Sequence, residues 1–219
     1  MRKHLYCCMI TFSLCFYGLA YGSGKEESPI LPASAFDNDV AFLKKYGDVI
    51  VLKDPSGQSR IAVMPTLQGR VMTSTAGAPS KLSYGWINRP LFEAGEISEH
   101  TNAFGGEERI WLGPEGGQFS IFFAAGSAFT RENWYTPRFI DVEPWDVVNQ
   151  TEQSALFTKE ATLTNYSGAT FQIKLNREVR VLDNRAALSA IGVPEDARLT
   201  SARVKVVVAS VMQPWSDYR

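Results

Sequence analysis

The chain is 219 residues long, 45% apolar and 21% charged, and its 22 lysines and arginines nearly balance its 23 aspartates and glutamates, for a formal net charge of −1 at pH 7. A chain this neutral has no electrostatic footprint for a phosphate backbone, which argues against nucleic acid as a partner. Its length suffices for one well-filled core and is short for two.

Residues 1–22 read as a secretory signal peptide. Arg2, Lys3 and His4 form a basic start, Leu5 to Leu19 an apolar stretch without an acid, and Ala20-Tyr21-Gly22 a small-residue end, so cleavage is expected before Ser23. The apolar stretch is short for a membrane span. The mature chain is therefore expected in the periplasm or outside the cell, with no span of its own. All three cysteines (Cys7, Cys8, Cys15) lie in this segment, so the mature protein is expected to have no disulfide, thiol nucleophile or cysteine metal site. Two of the 22 basic residues leave with it and all 23 acids stay, which takes the formal charge from −1 to −3. His4 leaves as well. His100 is then the one remaining histidine, and two-histidine mechanisms are excluded within the chain.

Residues 23–35 are polar, contain Pro29 and Pro32, and read as a linker to one domain over 36–219. Phe36 to Tyr46 has a helical pattern, with Asp37 or Asp39 as cap, an apolar side of Phe36, Val40 and Leu43, and Gly47 as stop. Strand periodicity follows. Asp48–Asp54 and Arg60–Met64 flank Pro55-Ser56-Gly57 as a hairpin, and Arg70–Thr75 follows Gly69. Ser83 to Glu96 is irregular, with room for one helical turn. Phe119–Phe123 alternates like a strand, and an aromatic-rich connection then runs to Trp145. Strands are predicted again over Asp146–Asn149, Ala155–Thr164, Thr170–Leu182 and Arg203–Met212. No helix longer than the first and no repeat is evident. Alternating strands punctuated by proline and glycine predict an all-β fold, an antiparallel β-sandwich. The last strand lies near the chain end: either it closes the sandwich, or the chain is the front part of a larger one.

Candidate site residues concentrate between His100 and Phe123, which hold one histidine, Glu107, Glu108, Glu115, Arg109, Trp111 and five glycines. Gly105-Gly106 and Gly116-Gly117 allow positive φ or close approach of the backbone. Loops of this kind on a rigid scaffold carry function disproportionately. Histidine is the side chain whose unperturbed pKa lies near working pH, which makes His100 the candidate proton donor. Glu107 and Glu108 flank Arg109 and, in an extended loop, point to opposite sides, so one of them faces a ligand. Arg70 and Arg109 offer planar forks of donors to hydroxyls or a carboxylate. Asn102 and Glu115 add polar groups to the same loop. Trp111, Trp134 and Tyr135 are candidates for stacking on the apolar face of a pyranose. The competing reading makes the arginines and glutamates internal ion pairs, and Trp111 a core residue. Glu96, Glu99, His100 and Glu107 lack recognisable metal-ligand spacing, so neither a metal nor a cofactor is expected.

Three stretches carry a resemblance to a known family. Gly69-Arg70-Val71 looks like an early strand of the galactose mutarotase-like superfamily, Asn102 to Phe123 like its loop-then-strand segment, and Leu175 to Leu182 (LNREVRVL) like its long strand of alternating charge. That superfamily is the β-supersandwich of aldose epimerases and several carbohydrate-binding or lyase domains. GGEERIWLGPEGGQFSIFF is similar, more narrowly, to an exported bacterial family beside the mutarotases with no assigned activity. The resemblance covers Asp48 to Met212. It implies a supersandwich, of which the chain supplies the N-terminal part, and a saccharide ligand. It also implies ring opening by a histidine acid and a glutamate base, for which His100 and Glu107 are the candidates. The chain departs from the pattern in two respects: His100 precedes the Gly105-Gly106 pair instead of adjoining two glycines, and the usual base comes from the C-terminal half. The expected role is therefore carbohydrate binding in a cleft between the His100–Gly117 loop and the Phe129–Arg138 connection, with aldose 1-epimerase chemistry as a possible addition. The alternative is a non-catalytic structural or interaction protein of the bacterial envelope.

Overall fold

A capping box starts the first helix, and it uses Ser34, not the aspartates expected as caps. In the computed structural model, which describes residues 34–76, 82–190, 192 and 206–214, helix α1 spans Ala35–Leu43. The Ser34 hydroxyl accepts from the Asp37 amide at 3.1 Å and itself donates to the Asp37 carboxylate at 2.7 Å. The Arg60 guanidinium holds the same carboxylate at 2.7 Å and lies 4.6 Å from the Phe36 ring centroid. One arginine thus ties the helix to the sheet beneath it. The signal peptide and all of the linker before Ser34 lie outside the described residues.

Strands β1 (Ile50–Lys53), β2 (Arg60–Met64) and β3 (Arg70–Thr75) form an antiparallel sheet in chain order. The expected hairpin is present, with Ile50 opposite Val63 and Lys53 opposite Arg60. Asp54 closes its turn by accepting from the Ser59 amide at 3.1 Å. Between β2 and β3 a short 3-10 turn (Pro65–Leu67) ends in Gln68 and Gly69, both at positive φ. At Gly69 a Cβ would come 2.6 Å from the Phe157 ring, so this glycine is required by conformation and by packing together.

Helix α2 (Arg89–Ala94) occupies the irregular stretch, where one helical turn was expected, and ends at Gly95 in the left-handed conformation. Strands β4 (Asp146–Gln150), β5 (Ser154–Thr164), β6 (Thr170–Val181) and β7 (Val206–Pro214) form a second antiparallel sheet, again in chain order. Helix α3 (Asn184–Ala190) was not anticipated. Asp183 starts it, accepting from the Ala186 amide at 2.8 Å.

The expected strand at Phe119–Phe123 is absent. Burial alternates there, but the backbone makes no ladder. The Ser120 side chain donates to the Glu115 carbonyl at 2.9 Å and accepts from the Phe122 amide at 3.1 Å. The Ser120 and Phe122 carbonyls accept from Tyr166 and Tyr135 in two separate segments. Local side-chain bonds of this kind compete with sheet pairing.

The described fold is all-β in character, with two antiparallel sheets and a few short helices. Ile50, Leu52, Ile61, Val63 and Val71 of the first sheet share one core with Ala155, Phe157, Leu175 and Val179 of the second. Ile110, Phe122, Phe139, Ile140 and Trp145 of the long connections fill it. Among the described residues no helix is long and apolar enough to cross a membrane.

Candidate functional site

The loop that leaves α2 is fixed to the interior by an acid from the second connection. Asp141 follows a short 3-10 turn (Arg138–Ile140) and is buried. Its carboxylate accepts from the Asn102 amide at 3.3 Å, from Asn102 Nδ2 at 2.8 Å and from Arg109 Nη2 at 3.3 Å. Arg109 also donates to the Ile140 carbonyl at 2.6 Å, and its guanidinium lies 4.5 Å from the Trp111 ring centroid. Next to it, buried Arg70 donates to the carbonyls of Gly105 and Asp141 at 3.2 and 3.3 Å. The positive-φ pair Gly105-Gly106 lets the loop come this close: a Cβ on Gly105 would lie 2.2 Å from the Trp86 carbonyl oxygen. Burial, with Arg109 and Arg177 close by, pulls the Arg70 guanidinium down to about 10, so it still carries its charge at neutral pH. Burial likewise lowers Arg109, opposed by Asp141.

A second fully buried arginine completes the interior network. Arg177 of β6 donates through Nε to the Gly69 carbonyl at 3.1 Å and through both terminal nitrogens to the Glu108 carboxylate. Glu107 faces the other way. It accepts from the Ser74 amide at 2.6 Å and from the Ser74 hydroxyl at 2.9 Å at the surface of β3.

Aromatic rings make the second layer. Trp134 stacks on Phe122 with centroids 5.4 Å apart and an interplanar angle of 9°, and Trp111 packs against both. The Trp111 indole N–H donates to Glu115 at 2.7 Å. His100 Nδ1 lies 2.8 Å from the Trp134 carbonyl. A carbonyl only accepts, so Nδ1 carries a proton and donates it. The same ring stacks on Tyr135 at 4.4 Å and 22°.

Outside this layer opens a cleft of about 740 Å³. Its walls are the 121–124 segment, the 135–139 segment and the end of β5 from Glu160 to Thr164. Tyr135 presents a half-exposed ring, and Thr136, Thr162 and Thr164 also line the cleft; the Thr136 hydroxyl is buried, and that of Thr164 bonds to Thr170. Glu99, Glu143, Glu160 and Arg138 supply the charges. Glu143 is bound to Lys159 at 2.8 Å and Glu160 to Lys174 at 3.0 Å, whereas Glu99 has no ion pair or hydrogen bond among the described residues. The combination of one flat ring, the exposed Thr162 and an unpaired carboxylate suits a polyhydroxylated ligand with an apolar face.

A family model described as a family of unknown function, DUF6786, matches residues 34–208. The chain belongs to that family. No curated protein and no solved structure matches it. The DUF6786 match begins at the residue that caps α1 and takes in every candidate site residue from Arg70 to Tyr135.

The candidates fall into three places. Arg70, Asn102 and Arg109 are gathered around Asp141 in the interior. Trp111, Glu115 and Trp134 form the aromatic layer, with His100 behind Tyr135. Tyr135 alone lines the cleft. Glu107, on Ser74, joins none of these groups. The internal ion pairs exist, but Arg109 pairs with Asp141, not with a neighbouring glutamate. Among the described residues no group of three or more metal-ligating side chains is assembled. Sequence reasoning missed Asp141, Arg177 and the cleft acids Glu143 and Glu160, and weighed Glu99 only as a metal ligand. The signal for Arg177 was present, because it alternates with Leu175, Val179 and Val181 and so must share their buried face.

Proposed function

We propose that the protein binds a saccharide in the 740 Å³ cleft, acting after export as a carbohydrate-binding protein of the mutarotase-like supersandwich type. The observation that carries this reading is the Tyr135 ring at the cleft wall, held flat from behind by His100. A sugar stacks its C–H face on such a ring while its hydroxyls reach Thr162 and the free Glu99 carboxylate. Two antiparallel sheets around a shared core support the supersandwich assignment.

Binding without ring-opening chemistry is favoured. Mutarotation needs an acid and a base on one sugar. Glu107 is engaged by Ser74, and His100 donates to the Trp134 carbonyl, on different segments. The test is a thermal melt of the purified protein against mono- and oligosaccharides, followed by polarimetry with any sugar that raises the melting temperature. A shift by one sugar class with no acceleration of mutarotation is the expected result. Accelerated mutarotation that is lost in both His100→Ala and Glu107→Ala would instead establish epimerase-like catalysis.

A second reading rests on a different surface. Tyr84 and Trp86 alternate along an extended segment beside β3 and are 55% and 63% exposed. Large exposed aromatics in a row suit an interaction protein of the envelope. Melts that no saccharide moves would favour it.

A further inference from the structure

We propose that a second, separate cleft binds an organic ammonium ion with a compact apolar body. This cleft has a volume of about 330 Å³, at the lower end of the range of small-ligand sites. It lies between Tyr46, the end of α2 and the loop carrying Phe104, and it shares no lining residue with the saccharide cleft. Three aromatic side chains wall it. The Phe92 and Phe104 centroids are 4.7 Å apart, and those of Tyr46 and Phe92 are 5.4 Å apart. Met64, Leu67 and Leu91 complete the apolar lining. Glu96 is the one charged lining residue, and among the described residues it makes no ion pair or hydrogen bond.

Each class of ligand meets this lining differently. An anion is repelled by Glu96. A metal ion or a small hydrated ammonium must give up water that apolar walls do not replace. A neutral apolar molecule gains burial but nothing from the carboxylate. A weakly hydrated organic cation gains three things at once: apolar burial, attraction to the negative ring faces, and the Glu96 charge. The same aromatic cluster already carries one cation, at a ring that does not line the cleft. The Arg89 guanidinium lies 4.1 Å from the Phe42 centroid, and Phe42 packs on Tyr46 and Phe92.

The test is calorimetric titration of the purified protein with choline and with 3,3-dimethylbutan-1-ol, the neutral alcohol that has carbon in place of nitrogen. Choline is expected to bind about ten-fold or more tighter than the alcohol, the size of a desolvated cation–π and charge contribution. Glu96→Gln and Tyr46→Leu, both at exposed positions, are expected to weaken choline several-fold. Glu96→Gln leaves the alcohol unchanged. Equal affinities, binding of neither compound, or choline binding that ignores Glu96→Gln would each overturn the proposal. Tyr135→Ala belongs to the other cleft and is expected to leave choline binding unaltered, which keeps the two readings separable.

Discussion

Arg177 and Glu108 join the two sheets: a fully buried guanidinium on β6 is gripped on both terminal nitrogens by a carboxylate from the loop that pairs with Val71 of β3. Its third nitrogen reaches the Gly69 carbonyl at the start of the same strand. Removing Glu108 leaves an uncompensated buried charge, near a second buried arginine, Arg70. Glu108→Ala is expected to destabilise the protein by about 3 kcal/mol. The double variant Glu108→Leu with Arg177→Met removes both charges and is expected to lose much less. Urea melts of the two variants, side by side, check this.

Gly69 is the closest packed glycine at the same junction. With a positive φ and the Phe157 ring 2.6 Å from the position of a Cβ, Gly69→Ala is expected to cost about 3 kcal/mol. Gly57, in the first hairpin turn, has a similar φ but open space around it, so Gly57→Ala is expected to cost about 1 kcal/mol. Comparable losses at both positions in denaturant melts would show that packing against Phe157 does not matter.

The α1 capping box gives a pH dependence with a defined sign. The Arg60 guanidinium, followed by Ser34, holds the Asp37 carboxyl below its ordinary value of 3.8. A lowered folded value means that the stabilisation is fully present above 3.8 and is lost as pH falls through the folded value. Asp37→Asn is expected to flatten the acid limb of stability against pH, and Ser34→Ala to cost about 1 kcal/mol at neutral pH. The half-exposed pair keeps the pH effect small. Thermal melts between pH 3 and pH 7 measure both.

The aromatic layer behind the cleft is predicted to be structural. Trp134→Ala removes a ring stacked on Phe122 and Trp111 and frees the backbone that orients His100. A loss of about 2 kcal/mol is expected, less than for a fully buried aromatic because Trp134 is half-buried. Tyr135→Ala, at an exposed ring, is expected to change stability by less than about 1 kcal/mol. Differential scanning calorimetry distinguishes the two.

The strands were readable from the sequence because their signals are local. Alternation in Arg60–Met64, Arg70–Thr75 and Thr170–Val181, and the proline-glycine turn between β1 and β2, specify faces and ends without reference to anything distant. Phe119–Phe123 alternates equally well and still forms no strand, since Ser120 and two remote tyrosine amides take its backbone groups. The site was less legible for the same reason. Arg70, Asn102 and Arg109 read as ligand contacts because they are polar and near glycines. What withdraws them into the interior is Asp141, an acid 32 residues after Arg109 in the pair that joins them. Glu99, Glu143 and Glu160 converge on one cleft only through the fold. Trp134 and Tyr135, in a connection beside Asn133 and Pro137, both read as exposed; Tyr135 is, whereas Trp134 is half-buried against Phe122 and Trp111.

The measurement that tests the central claim most directly is isothermal titration of a saccharide that raises the melting temperature, with the wild-type protein, Tyr135→Ala and Glu99→Gln. The cleft reading predicts that Tyr135→Ala weakens binding about ten-fold, and Glu99→Gln by a smaller factor, with stability unchanged in both. Unaltered affinity in Tyr135→Ala, or no saccharide that binds at all, would contradict it.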